Sequence, residues 1–189
     1  GIDLNGAAAI DVGASTGGFT DCMLRAGAKL VYAVDVGYGQ LAWRLRQDER
    51  VRVMERVNAR YLEPSMFDVP ASFASIDVSF ISLKLILPAL MRVLAPPYTI
   101  VALIKPQFEA GRERVGKKGV VRDKAVHKDV IADILAFAKE AGLSVYGLDF
   151  SPIRGPEGNI EYLACLKSEG EYPEPDIIRV VEEAHKSAL

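Results

Sequence analysis

Short apolar runs alternate with segments whose apolar residues recur at helical spacing, from one end of the chain almost to the other. Ala7–Val12 is apolar apart from Asp11 and reads as a buried strand that runs out at Asp11-Val12-Gly13. Across Gly17–Ala26, the residues Phe19, Cys22, Met23 and Ala26 fall on one helical face, and Gly27 supplies a stop signal. Leu30–Asp35 predicts a second strand. Gln40–Gln47 predicts a short helix with Leu41, Ala42 and Leu45 inward and Arg44 and Arg46 outward. Val51–Glu55 alternates like a third strand, and Phe73–Phe80 and Thr99–Ile104 read as a fourth and fifth. An apolar helix over Leu87–Leu94 separates those two, with Pro88 in its first turn. Lys124–Ala141 gives the clearest helical stripe, through Val126, Val130, Ile134, Phe137 and Ala138, and Gly142 ends it. Ser144–Phe150 and Ile160–Leu166 supply the last strands, and Glu174–Ala188 a terminal helix with Ile177, Val180, Val181 and Ala184 inward.

Such alternation predicts an α/β fold, a mostly parallel, doubly wound sheet with helices on both faces. The last two strands join through a Pro- and Gly-rich turn, Ser151–Gly158, with no helix between them, so they are expected to pair antiparallel at one edge. A doubly wound sheet binds its ligand beyond the carboxyl ends of its strands, which here carry Asp11, Asp35, Asp77 and Lys105.

Composition narrows the function classes. The 189 residues suffice for one domain with a full core, and half of them are hydrophobic. Two cysteines, Cys22 and Cys165, lie far apart in apolar surroundings, which argues against a disulfide framework or a Cys-rich zinc site and for a reducing, cytoplasmic compartment. Lys84, Arg92 and Pro96-Pro97 interrupt the most apolar stretch before it reaches membrane-spanning length. A net charge of −2 excludes a uniformly basic nucleic-acid binder but not a local basic patch.

The stretch Asp11-Val12-Gly13-Ala14-Ser15-Thr16-Gly17-Gly18-Phe19 follows a strand and opens a helix. Its glycines let the backbone approach a ligand and turn amide N–H groups toward it. The spacing is not that of the dinucleotide fingerprint. Asp35 ends the next strand, where an acidic residue can bind two ribose hydroxyls. Together they suit a nucleoside-containing cofactor without a required pyrophosphate; a tight turn with a capping Asp35 is the plainer alternative.

The blocks at 11–21 (DVGASTGGFTD), 34–41 (VDVGYGQL), 77–83 (DVSFISL), 104–109 (IKPQFE), 119–123 (GVVRD) and 155–161 (GPEGNIE) resemble the TlyA family, the hemolysin-named branch of FtsJ-like methyltransferases. The resemblance implies a Rossmann-like class I methyltransferase fold and S-adenosylmethionine as cofactor. It also implies 2′-O-methylation of cytidine ribose in ribosomal RNA, with ribosomal RNA or ribosomal subunits as partners and neither membrane nor metal. Cofactor contacts carry over to Asp11, Gly13, Ala14, Ser15, Gly17, Gly18, Phe19, Asp35 and Asp77, with Asn58 near the adenine. Three members of the family's Lys-Asp-Lys-Glu tetrad carry over as the catalytic residues Asp77, Lys105 and Glu161. The first lysine belongs ahead of the first strand, and no lysine precedes Lys29, so an incomplete active site is expected. The family's N-terminal S4-type RNA-binding domain is likewise not in this sequence. Cofactor binding with negligible methylation is therefore the expectation for the chain alone.

The implied chemistry is an in-line displacement at a sulfonium methyl, which requires a positioned hydroxyl and help in losing its proton. Lys105 can serve as a neutral base or as a cation steering the hydroxyl, and Asp77 and Glu161 would orient it in either case. A basic run, Arg112, Arg114, Lys117, Lys118, Arg122, Lys124 and Lys128, reads equally as a phosphate-holding surface or a solvated loop. Its near match to a P-loop fails, because Lys118 holds the Ser/Thr position and Val120-Val121 follows where a helix should open. His127 and His185 lie on helices without metal-ligand company. Among the large aromatics only Tyr38 stands out as a stacking candidate. Two rivals remain: a membrane-acting hemolysin, and a cofactor-binding module without catalysis. No strongly basic amphipathic helix supports the first, and intact Asp77, Lys105 and Glu161 oppose the second.

Overall fold

The computed structural model describes residues 2–187. In chain order the regular elements are β1 (Ala8–Val12), α1 (Gly18–Arg25), β2 (Leu30–Asp35), α2 (Trp43–Arg46), β3 (Val51–Glu55), β4 (Ala71–Ile76), α3 (Leu83–Val93), β5 (Leu94–Ile104), α4 (Pro106–Glu109), α5 (Lys124–Glu140), β6 (Ser144–Phe150), β7 (Tyr162–Lys167) and α6 (Ile177–Lys186). Among the described residues the strands form one sheet in the order β3-β2-β1-β4-β5-β7-β6. No helix among them is long and apolar enough to cross a membrane. The terminal helix was expected to run to Ala188, which lies outside the described residues.

The chain divides into two compact units, Gly1–Val78 with Leu85–Ile100, and Ser79–Lys84 with Val101–Leu189. In the first, β1 pairs parallel with both β2 and β4, and β2 pairs parallel with β3. All five residues of β1 are buried, as an apolar run flanked by strands on both sides requires. The register sets Val12 opposite Val34 and Ile76, so the chain leaves these three strands at one level, as Gly13, Asp35 and Asp77. In the second unit, β6 and β7 form the expected antiparallel edge pair, with an irregularity between Val145 and Gly147. Helices α5 and α6 bury Val130, Ile131, Ile134, Val180 and Val181 there.

Several boundaries and faces depart from the expected ones. Helix α1 buries Thr20, Met23 and Leu24 and leaves Cys22 exposed, because the Thr20 hydroxyl turns inward to Asp11. The strand expected to reach Phe80 stops at Ile76, and 77–82 form a loop. Helix α3 starts at Leu83, with Pro88 inside it rather than in its first turn. Its first turn is fixed by Glu109, whose carboxylate accepts hydrogen bonds from the Leu83 amide (2.8 Å) and the Ser82 hydroxyl (2.6 Å). Helix α6 begins only after Asp176, whose side chain caps the Arg179 amide at 2.9 Å.

Candidate functional site

The glycine-rich loop of the first unit is held by its own backbone. The Gly13 and Ala14 amides donate to the Val34 carbonyl at 2.8 and 3.1 Å, which folds the loop over the end of β2. A Cβ on Gly13 would lie 2.0 Å from the Asp77 carbonyl oxygen, and one on Gly17 would lie 2.2 Å from a Leu45 methyl. Gly17 also stands at φ 100°, so glycine is required there for conformation as well as for space. Gly18, Ser15 and Thr16 are exposed, and Phe19 is half-buried.

Asp35 joins this loop to the next. Its Oδ2 accepts from the Ser15 amide at 2.8 Å and its Oδ1 from the Gly37 amide at 2.7 Å, so two backbone donors fix the plane of the carboxylate. The Val57 amide donates to the Asp35 carbonyl at 3.0 Å and so brings Asn58 to the same strand end. Asn58 is exposed and caps the helical turn Ala59–Tyr61 through its side-chain oxygen, 3.1 Å from the Arg60 amide.

Asp11 corrects the expectation of a cofactor contact. It is fully buried, and its two oxygens accept from the Thr20 and Ser75 hydroxyls at 2.7 and 2.8 Å. Burial raises its carboxyl above the ordinary range, against the pull of those two hydroxyls. Asp11 thus braces the loop from beneath, tying α1 and β4 to β1. Asp77 continues β4, is half-buried, and donates its amide to the Val12 carbonyl at 2.9 Å.

In the second unit Lys105 follows β5 directly and stands at the N-cap of the one-turn helix α4, whose first residue is Pro106. Two residues on, the Gln107 amide donates from Nε2 to Glu161 Oε1 at 2.9 Å. Glu161 is 8% exposed and Gln107 half-buried, so this contact is partly shielded from water. The turn before it is held by the Ser151 amide on the Glu161 carbonyl (2.8 Å) and the Gly155 amide on the Asn159 carbonyl (3.0 Å). Glu109 closes α4, and burial raises its carboxyl although Ser82 and the Leu83 amide pull it down.

Phe80 went unnoticed in the sequence. It is 89% exposed, stands at φ 63°, and packs its ring at 4.8 Å from that of Phe108. A bulky residue in the left-handed region is rare, and such strain concentrates at functional sites. The apolar pattern over 73–80 predicts a strand there, and a strand pattern carries no sign that Phe80 is exposed in a loop. A cavity of about 480 Å³ opens beside it, lined by Gln107, Phe108, Gly111, Arg112 and Val115 among others.

The basic segment separates into two parts. Arg114 reaches Asp129, and Lys124 and Lys128 share Glu182, whereas Arg112, Lys117, Lys118 and Arg122 project into solvent. Its far end is pinned at Val121: the amide donates to Asn159 Oδ1 (3.1 Å), and His127 Nε2 meets the carbonyl (3.0 Å). The first unit carries two exposed arginine–tyrosine stacks, Arg56 over Tyr38 and Arg60 over Tyr61, at 4.3 and 5.6 Å. Only Tyr38 had a signal in the sequence. Among the described residues no three His, Cys, Asp or Glu side chains are grouped to hold a metal.

Comparison with known proteins gives a consistent set of matches. The model of the FtsJ-like methyltransferase family matches residues 1–168. Over 186 residues the chain is 60% identical to the "Putative rRNA methyltransferase YqxC" of Bacillus subtilis, covering 94% of this chain and 66% of that protein. Over 168 residues it is 45% identical to the "16S/23S rRNA (cytidine-2'-O)-methyltransferase TlyA" of Mycobacterium tuberculosis, covering 89% of this chain and 63% of that one. A solved structure, "Putative hemolysin from Streptococcus thermophilus", has a TM-score of 0.93 and 56% identity, covering 98% of this chain and 69% of that chain. The chain spans less than two thirds of the length of these two curated relatives. The fold is the Rossmann-like one of class I methyltransferases.

Proposed function

The chain belongs to the FtsJ-like methyltransferase family, and we propose that it transfers a methyl group from S-adenosylmethionine to the ribose 2′-hydroxyl of a cytidine in ribosomal RNA. The observation that carries this reading is the strand-end loop and its pinned carboxylate. A carboxylate offers about four acceptor positions, and the Ser15 and Gly37 amides occupy two of those on Asp35. The remaining two suit the pair of hydroxyls on a ribose. Gly13, Ala14, Ser15, Gly17, Gly18 and Phe19 form the loop that would border the rest of the cofactor, with Asn58 toward its base and Asp77 beyond β4. Gly13 is required for internal packing, since its backbone lies directly against the Asp77 carbonyl and holds the loop at the end of β4. When bound, S-adenosylmethionine supplies an electrophilic methyl carbon on a sulfonium.

Catalysis is assigned to Lys105 and Glu161 in the second unit and to Asp77 in the first. In this reading Lys105 Nζ would orient the 2′-hydroxyl and assist departure of its proton, and the carboxylates of Asp77 and Glu161 would orient the amine. The cytidine specificity named for the M. tuberculosis relative extends to this chain as part of the same reading. RNA phosphates would be met by the exposed Arg112, Lys117, Lys118 and Arg122, and bases by exposed rings such as Phe80 and Tyr38. The matched residues and the terminal helix together act as one methyltransferase domain.

The decisive experiment treats unmethylated ribosomal subunits with the full-length protein and labelled cofactor, then maps 2′-O-methyl ribose by mass spectrometry. Methylation at discrete cytidines is expected. Its absence, with the cofactor bound, would overturn the assignment.

A further inference from the structure

We propose that Gln107 selects the target base, its side-chain Oε1 accepting a hydrogen bond from the exocyclic amine of cytosine; this rests on the ribose-methylation reading above. The orientation of the amide is fixed by chemistry. Nε2 donates to Glu161 Oε1 at 2.9 Å, and the reverse orientation would set a carbonyl against a carboxylate. The other end of the amide is then an acceptor by necessity, and it is buried without a hydrogen-bond partner among the described residues. Buried polar groups are almost always paired, and the residue that carries this unpaired oxygen borders a cavity from which a ligand donor could reach it once the side chain adjusts.

Gln107 lines the cavity of about 480 Å³ that also holds Phe80, Phe108 and Arg112. That volume accommodates a pyrimidine, and the tilted Phe80–Phe108 pair offers an aromatic wall for its face. Cytosine carries an amino donor at the position where uracil carries a carbonyl acceptor. Oε1 would accept from the first and repel the second. Discrimination by a missing or inverted hydrogen bond is steeper than discrimination by size, because the site's own polar group is left unpaired with the wrong base. The short helix α4 gives the residue its rigidity: Pro106 starts it, and the Ala110 amide closes it on the Pro106 carbonyl at 3.0 Å.

The test uses the full-length protein and ribosomal RNA fragments carrying cytidine, uridine or pyrimidin-2-one riboside at the target position, the last being cytidine without its amine. The unaltered protein is expected to methylate the cytidine RNA at least about tenfold faster than the other two, the scale of one specific base contact. Gln107→Met should lower the cytidine rate by a similar factor and leave cytidine and pyrimidinone within about twofold of each other. The two deletions then fail to multiply, as they must if they remove one contact. Should Gln107→Met not fold, as judged by lost cofactor binding, Gln107→Asn withdraws the carbonyl by one methylene and gives the same readout. Equal rates on cytidine and pyrimidinone by the unaltered protein, or penalties that multiply, would overturn the role of Gln107 while leaving the methyltransferase reading intact. Absence of transfer to any RNA would bring down both.

Discussion

The loop that follows β1 and the segment that follows β5 are held in opposite ways. In the first unit, Gly13, Ala14 and Ser15 are fixed by the end of β2, through the Val34 carbonyl and the Asp35 carboxylate. Even a partner as distant in sequence as Ser75, whose hydroxyl donates to Asp11, is a direct sheet neighbour by register. In the second unit the working residues are fixed by side chains reaching across loops. Gln107 meets Glu161 from 54 positions away, Glu109 meets Leu83 from 26, and Asn159 meets Val121 from 38. Parallel strands with matched ends thus suffice to build the loop proposed to hold the cofactor, whereas the segments proposed to meet RNA depend on cross-bracing between irregular stretches. A cofactor of constant shape needs the first arrangement. The second can change its loops without disturbing the sheet.

The sharpest way to break this contrast is Lys105→Ala in the full-length protein. Methyl transfer is expected to fall at least about 100-fold, the scale of acid–base assistance, with cofactor affinity nearly unchanged by calorimetry. Turnover near normal would remove Lys105 from the chemistry. Asp35→Ala should do the reverse, weakening S-adenosylmethionine binding by about 1.5–3 kcal/mol, the range for hydrogen bonds to a charged group. An unaltered cofactor affinity would show that the pinned carboxylate serves the loop alone.

Asn159→Ala tests the bracing of the second unit, because it leaves the buried Val121 amide without its partner. A loss of about 1–3 kcal/mol in stability to urea is expected, together with weaker RNA binding and normal cofactor affinity. Equal losses of RNA and cofactor affinity would mean that the two regions are not separately supported.

The smallest effect is a pH dependence at the same brace. His127 is fully buried between Tyr162 and the Val121 carbonyl, and His185 approaches its ring at 3.3 Å. Burial lowers both histidines, outweighing for His127 the upward pull of the Val121 carbonyl and Asp123; for His185 the nearby His127, Lys124 and Arg154 lower it further and Glu182 opposes. A base with a depressed folded value stays neutral while the unfolded chain takes up protons. Stability should therefore decline as pH falls below the ordinary histidine value of 6.5. Urea midpoints at neutral and mildly acidic pH would show this, and His127→Gln should flatten the decline. An identical slope in that variant would assign the acid sensitivity elsewhere.

Much of this protein is determined by its sequence alone. Period and punctuation locate the strands, because a buried parallel strand must be an apolar run and a turn must carry residues that permit it. The same logic exposes Gly13–Phe19 and Asp35, whose positions at strand ends are local facts. Tertiary structure decided the rest. It turned Asp11 from a presumed ligand contact into a brace, because only the packed sheet shows that Thr20 and Ser75 enclose it. It moved the start of α3 to Leu83, because the capping group is Glu109, remote in sequence. It put Phe80 in solvent and left the Gln107 oxygen buried and unpaired, outcomes that depend on which side chains a loop finally meets. Periodicity reports on which face of an element is buried, since burial repeats along a helix or strand. A single hydrogen bond between two loops repeats nothing, and so it leaves no pattern in the chain to read.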